Sequence, residues 1–212
     1  LMKAGRLVLT NALVFLIIMG LGIGGYYFYY MKSNYIETED ARVKGDLIPV
    51  ASVGNGKLEE WQVEEGQQVK SGQVLGKVNT GQQTVDIQAP MDGTIVKSDL
   101  SEGQMVAAGQ TLVQMVDFNK LYIEANIEET EIKDVSVGQE VDITIDAEEG
   151  TKIKGTVKKI GKATNSVFSL LPQQTASGDY TKVVQRIPVV IEMESYPDTV
   201  VPGMNATILI HK

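Results

Sequence analysis

The sequence contains no cysteine and a single histidine, and aromatic residues make up only 6% of its 212 positions. Without cysteine there is no disulfide framework, no thiol nucleophile and no thiolate metal site. The lone histidine, His211, leaves no second imidazole for a histidine-rich metal centre and no serine–histidine–aspartate constellation inside the chain. We expect it as an exposed residue. Acidic residues are missing from the first 35 positions, which carry Lys3, Arg6 and Lys32. All 27 acids follow Tyr35, so the rest of the chain has a net charge of −11. Such a body lacks the basic patch that displaces counterions from nucleic acid. Its acid pairs, Glu59/Glu60, Glu64/Glu65 and Glu148/Glu149, read as turn and surface residues rather than as a glycosidase pair. No catalytic residue, cofactor or metal site is expected.

What the chain does have begins with 24 uncharged residues, Leu7 to Tyr30. As a helix this run spans roughly 36 Å, enough for a hydrocarbon core about 30 Å thick. Lys3 and Arg6 precede it, and Tyr26, Tyr27, Tyr29 and Tyr30 form an interfacial belt at its far end. We expect a single-pass anchor in a cell membrane, with the N-terminus cytoplasmic and the bulk of the chain outside. A cleaved signal peptide is the alternative, but its apolar region is usually shorter and ends in small residues. Gly20 and Gly24 make a small-xxx-small pair that permits close helix packing on a partner. The same glycines are no nucleotide loop, since no strand precedes them and no Lys-Ser/Thr follows.

The most informative feature is an internal repeat with an offset of 37 residues. Gly56, Gly66 and Gly72 recur as Gly93, Gly103 and Gly109, and Glu65, Gln67, Val69, Gln73 and Leu75 recur as well. Each copy reads as short strand, turn at Glu-Gly, short strand, turn at Gly-Gln, short strand. Two copies, each too small to bury its own apolar face, are expected to pack as a pseudo-symmetric sandwich. Trp61, the only tryptophan, is read as packing on the first copy, with an interface anchor as the alternative.

At these residues the chain resembles the biotinyl/lipoyl domain, including its diverged form in membrane fusion proteins. In lipoyl carriers a hairpin between the halves presents the acceptor lysine. Here Thr80-Gly-Gln82-Gln-Thr84-Val-Asp86 fills that stretch. Gln82 stands in place of the lysine and has no amine to acylate, and Lys77 falls inside the preceding strand. The resemblance therefore implies the fold without the carrier chemistry. Many relatives also insert a helical coiled-coil hairpin at this point. Leu75 and Ile87 are twelve positions apart with no heptads between them, so that arm is missing.

After Asp117 the pattern becomes alternation. Leu121, Ile123, Ala125 and Ile127 alternate with polar residues, and further strands are read at 141–146, 153–160, 183–193 and 205–210. A small antiparallel barrel is the simplest closure, because closing the sheet removes exposed edges. Thr38-Glu-Asp-Ala41-Arg-Val43, Ile127-Glu-Glu-Thr-Glu-Ile132 and Phe168-Ser-Leu-Leu-Pro172 to Ile191 resemble the EmrA-type branch of the HlyD adaptor family, in the same order.

The expectation is a mainly β protein: residues 1–35 a cytoplasmic stub and transmembrane helix, 36–49 a connecting strand, 50–117 a lipoyl-like barrel-sandwich hybrid and 118–212 a β-barrel, completed by the stretch after the helix. The resemblance implies a membrane-anchored adaptor of multidrug efflux beside a major-facilitator drug:proton antiporter. An ABC-type drug or peptide exporter is the alternative partner, and a homo-oligomer is left open. A carrier domain and a membrane-anchored ligand-binding protein are the readings from other classes. Contact with the partner is expected through Gly20 and Gly24 in the helix and through Phe168, Leu171, Lys182 and Arg186 in the barrel. The alternative for the last four is a loop packed on its own barrel.

Overall fold

The computed structural model describes residues 2–148, 151–168 and 184–212, with side chains described for 12–148, 151–167 and 184–212. Among the described residues one α-helix, α1 (Met2–Asn34), is followed by fourteen strands. They are β1 (Tyr35–Lys44), β2 (Ile48–Ala51), β3 (Gly56–Glu59), β4 (Gln68–Val69), β5 (Val74–Asn79), β6 (Thr84–Gln88) and β7 (Gly93–Ser98). Then come β8 (Met105–Val106), β9 (Thr111–Val116), β10 (Tyr122–Glu128), β11 (Glu140–Ile145), β12 (Lys152–Ile160), β13 (Arg186–Met193) and β14 (Asn205–His211). The chain divides into two compact units, Leu1–Ala41 with Ala125–Glu194 and Ala206–Lys212, and Arg42–Glu124 with Ser195–Asn205.

The second unit holds the sandwich, two four-stranded sheets in the orders β2-β9-β7-β4 and β6-β5-β3-β8. Shifting each number by 37 residues turns one sheet into the other. β2 becomes β6, β3 becomes β7, β4 becomes β8 and β5 becomes β9. Each sheet therefore takes its two central strands from one half-motif and its two outer strands from the other, so neither half closes alone.

The registers obey the same shift. Leu58 pairs with Val78 as Ile95 pairs with Met115, and Gly56 faces Val106 as Gly93 faces Val69. The core consists of equivalent pairs: Val50 and Ile87, Leu58 and Ile95, Val69 and Val106, Leu75 and Leu112, Val78 and Met115, all at most 5% exposed. Each such aliphatic side chain contributes about 1.5–3 kcal/mol on burial.

The turns repeat the shift in their hydrogen bonds. The Gly66 amide donates to Ile95 O and the Gly103 amide to Leu58 O, both at 2.8 Å. The Gly72 amide donates to Ala89 O and the Gly109 amide to Ser52 O, again both at 2.8 Å. All four glycines have φ between +78° and +87°, a region in which a Cβ is strained.

The barrel is closed in the order β1-β10-β13-β12-β11-β14. Alternate residues point inward, giving a core rich in β-branched side chains: Ile123 and Ile127, Ile143 and Ile145, Val189 and Ile191, Ile208 and Ile210, none more than 1% exposed. β1 follows α1 directly, at Tyr35, and its Ile36 and Ala41 are buried. Pro188 lies next to the last β12–β13 pair, Ile160 with Val189, and its carbonyl accepts the Gly161 amide at 2.7 Å. His211 differs from its expectation as an exposed end residue. It closes β14, its Nε2 lies 3.0 Å from Asp142 Oδ2, and Tyr35 meets its ring edge-on at 4.9 Å.

Candidate functional site

The hairpin between β5 and β6 is four residues long, Thr80 to Gln83. Gly81 has φ +82°, its amide donates to Asn79 Oδ1 at 2.8 Å, and Thr80 Oγ1 donates to Gln83 O at 2.9 Å. The tip thus satisfies its own backbone and leaves Gln82 exposed. A carboxamide here has no nucleophilic nitrogen. Lys77 sits inside β5 opposite Asp86, with Nζ 2.5 Å from Glu60 Oε2. The hydrogen bond and charge of Glu60 raise its pKa. The hairpin carries no helical arm.

The helix presents a different surface. Ala12–Asn34 is long and apolar enough to cross a membrane, and its side chains from Ala12 to Tyr30 are exposed. A Cβ built at Gly20 or Gly24 would meet nothing within 4 Å. The two glycines lie one turn apart on one face, open to whatever approaches the helix.

On the barrel, Arg186 opens β13 and forms an ion pair with Asp40 of β1. Asp40 Oδ1 also accepts Asn126 Nδ2 at 3.1 Å, and Asn126 Oδ1 accepts Asn165 Nδ2 at 2.7 Å. This network links β1, β10 and β13 with the 3-10 turn Asn165–Phe168. Arg186 is therefore already engaged by its own barrel while half its side chain faces solvent. Sequence reasoning missed Asp40 and Asn126, since only closure of the barrel brings positions 40, 126 and 186 together. Phe168 ends the 3-10 turn with its side chain outside the described part, and Leu171 and Lys182 lie outside the described residues altogether.

A second polar cluster on the barrel was also not legible. Asp142 accepts Lys154 Nζ at 2.5 Å and faces His211. The Lys154 hydrogen bond, helped by His211, holds its carboxyl below the usual carboxylate range. No group of three or more histidine or carboxylate side chains suited to a metal occurs among the described residues.

Within the second unit a groove of about 780 Å³ is lined by Lys70, Gln73, Asp92, Asp117, Phe118 and Tyr196, among others. Tyr196 Oη donates to Phe118 O at 2.8 Å and accepts the Leu121 amide at 3.0 Å, pinning the 195–205 segment to the end of β9.

A barrel-sandwich hybrid domain described for YhbJ matches residues 46–117, and a YknX-like beta-barrel domain matches residues 121–210. YhbJ of Bacillus subtilis (strain 168), whose name proposes it as an efflux system component, is 45% identical over 209 residues, 99% of this chain and 94% of that protein. The colistin resistance protein EmrA of Acinetobacter baumannii is 35% identical over 124 residues, 58% of this chain and 35% of that protein. This chain thus spans about a third of that EmrA and nearly the whole of YhbJ. The solved structure of the periplasmic adaptor protein EmrA shares the fold, with a TM-score of 0.56 at 15% identity over 84% of this chain and 98% of that one. With its interlocked half-motifs, closed barrel and four-residue hairpin, the chain belongs to the EmrA-type branch of the HlyD membrane fusion (periplasmic adaptor) family, in a short form without the helical arm.

Proposed function

We infer that this chain is the extracytoplasmic adaptor of a multidrug efflux system, anchored by α1 and working beside a major-facilitator drug:proton antiporter. The observation that carries the reading is the joint at Asn34 and Tyr35, where a membrane-length helix runs into a barrel strand with no linker. A helix so connected transmits position directly to the barrel. The open Gly20/Gly24 face then allows close approach of a transporter helix, with Phe168, Leu171, Lys182 and Arg186 as the barrel-side contacts. The names of relatives support the same reading: EmrK and EmrA of Escherichia coli are named for multidrug resistance and multidrug export. The role is one of contact rather than catalysis.

The test is crosslinking in native membranes, followed by purification of the adaptor and identification of the captured integral membrane protein. A permease of twelve or fourteen spans is the expected outcome. Capture of an ATP-binding exporter would move the adaptor to an ABC system. Turnover of a substrate by the purified chain alone would overturn the adaptor reading.

A further inference from the structure

The first unit, which contains α1 and most of the barrel, does not scatter its exposed apolar side chains. Outside α1, and among the described residues, the large ones are Val137, Val167 and Val184, at 65%, 69% and 51% exposed. Taken singly, each would be ordinary surface. All three, however, lie at one end of the barrel, the end at which α1 enters.

The strand pairings fix that end. β1 begins there at Tyr35, and Lys212, one residue past β14, donates its amide to Asn34 O at 2.9 Å. β11 runs antiparallel to β14, with Val141 opposite Ile210, so the turn before β11 lies at the same end and carries Val137. Next to it the Gly138 amide donates to Val157 O at 2.8 Å. β12 runs antiparallel to β11, with Thr156 opposite Glu140, and therefore leaves at this end. The 3-10 turn Asn165–Phe168 follows it and carries Val167. β13 starts back from here, with Val189 opposite Ile160, and Val184 precedes it. The turn between β11 and β12, at the opposite end, exposes Asp146 and Ala147 instead.

The chain itself sets the height of this end. Tyr26, Tyr27, Tyr29 and Tyr30 mark the level at which α1 leaves the hydrocarbon. Tyr35 is five residues beyond Tyr30, a rise of about 7 Å along a helix. The headgroup layer on each side of a bilayer is roughly 5–8 Å thick. No linker intervenes between Asn34 and Tyr35, and Lys212 Nζ donates to Lys32 O at 3.1 Å, which ties the end of β14 to the last turn of α1. The valine-bearing end of the barrel is thereby held at the height of the lipid headgroups.

We propose that this end of the barrel rests on the bilayer surface, with Val137, Val167 and Val184 inserted among the headgroups and upper acyl carbons of the leaflet from which α1 emerges. Lys133, Lys162, Glu129 and Asp134 are exposed around the same end. Their charges balance, so the contact is held by apolar burial and needs no anionic lipid. The inference rests on α1 as the membrane anchor and adds a second contact with the same membrane, made by the barrel.

The sequence has no cysteine, so one introduced cysteine carries one fluorophore. The full chain is labelled with bimane at Val137→Cys, Val167→Cys or Val184→Cys. It is then placed in phosphatidylcholine nanodiscs with or without lipid brominated high on the acyl chains. Tyr30→Cys reports on α1, and Ala147→Cys on the opposite end of the barrel. Bromolipid is expected to quench the three valine-site labels as it quenches Tyr30→Cys, and to leave Ala147→Cys at full emission. Ser136→Cys and Ser166→Cys, each one residue from a valine, keep the valines in place and should be quenched as well. Quenching at Tyr30→Cys with none at these five sites overturns the proposal and leaves the anchor standing. Absence of quenching at Tyr30→Cys too overturns the anchor, and the proposal with it. Equal quenching at Ala147→Cys would show no preference for the valine end and sink the proposal. Blue-shifted emission at the valine sites without quenching would mean that protein covers them, which equally overturns it.

Discussion

At five of the six turns where glutamine follows glycine, the side chain reaches back three residues. Oε1 of Gln67, Gln73, Gln104, Gln110 and Gln139 accepts the amide of Glu64, Lys70, Ser101, Ala107 and Ser136, at 2.7–3.3 Å. Glycine supplies the positive φ and glutamine occupies the amide that the reversal leaves over. The recurrence of Gln67 and Gln73 was visible as pattern, but its reason is this bond. At the same scale, Gly76→Ala drives a Cβ into the Trp61 ring, and overpacking of this kind costs about 1–3 kcal/mol. Chemical denaturation followed by Trp61 fluorescence should show that loss. Asp142 makes a pH-dependent prediction. Its folded pKa is depressed by Lys154 and then by His211. Its contribution is therefore present above the ordinary carboxylate value, about 3.9, and fades as pH falls through the lower folded value. Asp142→Asn should melt lower than the parent chain at neutral pH, and the two melting temperatures should converge in strong acid. A difference that persists unchanged into acid would contradict this assignment.

Among the elements, the β5–β6 hairpin and α1 carry the functional expectations. Gln82 at the hairpin tip predicts a chain without lipoate or biotin, so the intact mass of protein purified from its native membrane should equal that of the unmodified polypeptide. An added mass mapped to Lys77 would contradict the placement of that lysine in β5. For α1, the open face at Gly20 and Gly24 predicts that Gly20→Leu and Gly24→Leu reduce recovery of the transporter in pull-down and lower drug tolerance. Adaptor abundance measured alongside distinguishes lost contact from misfolding. Full recovery with both variants would put the docking face elsewhere. The strands themselves were largely legible: the alternation read from Leu121 onward became β10, with Ile123, Ala125 and Ile127 buried, and the turn at Pro202-Gly203 precedes β14, with Gly203 at φ +98°.

For the whole molecule, Lys3 and Arg6 against the acidic flank after Tyr35 predict the N-terminus in the cytoplasm and both β units outside. Protease added to intact cells without an outer membrane should remove everything after Ser33. Protection of that portion would reverse the orientation. The sandwich is interlocked, so its halves should melt as one. Gly103→Ala in the second turn, which costs roughly 1 kcal/mol of backbone strain, should lower the stability of β3 in the first half as much as that of β7. Hydrogen exchange at Leu58 and Ile95 amides, which are exchanged by the 37-residue shift and bond to Gln104 O and Gln67 O, reads that coupling directly.

The amino-acid sequence by itself determined the membrane-length run, the repeat, the alternation of the barrel strands and the missing acceptor lysine. Each is a local property, carried by spacing or by the chemistry of one side chain. Only the tertiary structure decided which half-motif lends strands to which sheet, because sheet order is a choice among pairings that all satisfy the same short-range pattern. Closure of the barrel likewise decided that Arg186 meets Asp40 and that His211 meets Asp142, residues 146 and 69 positions apart.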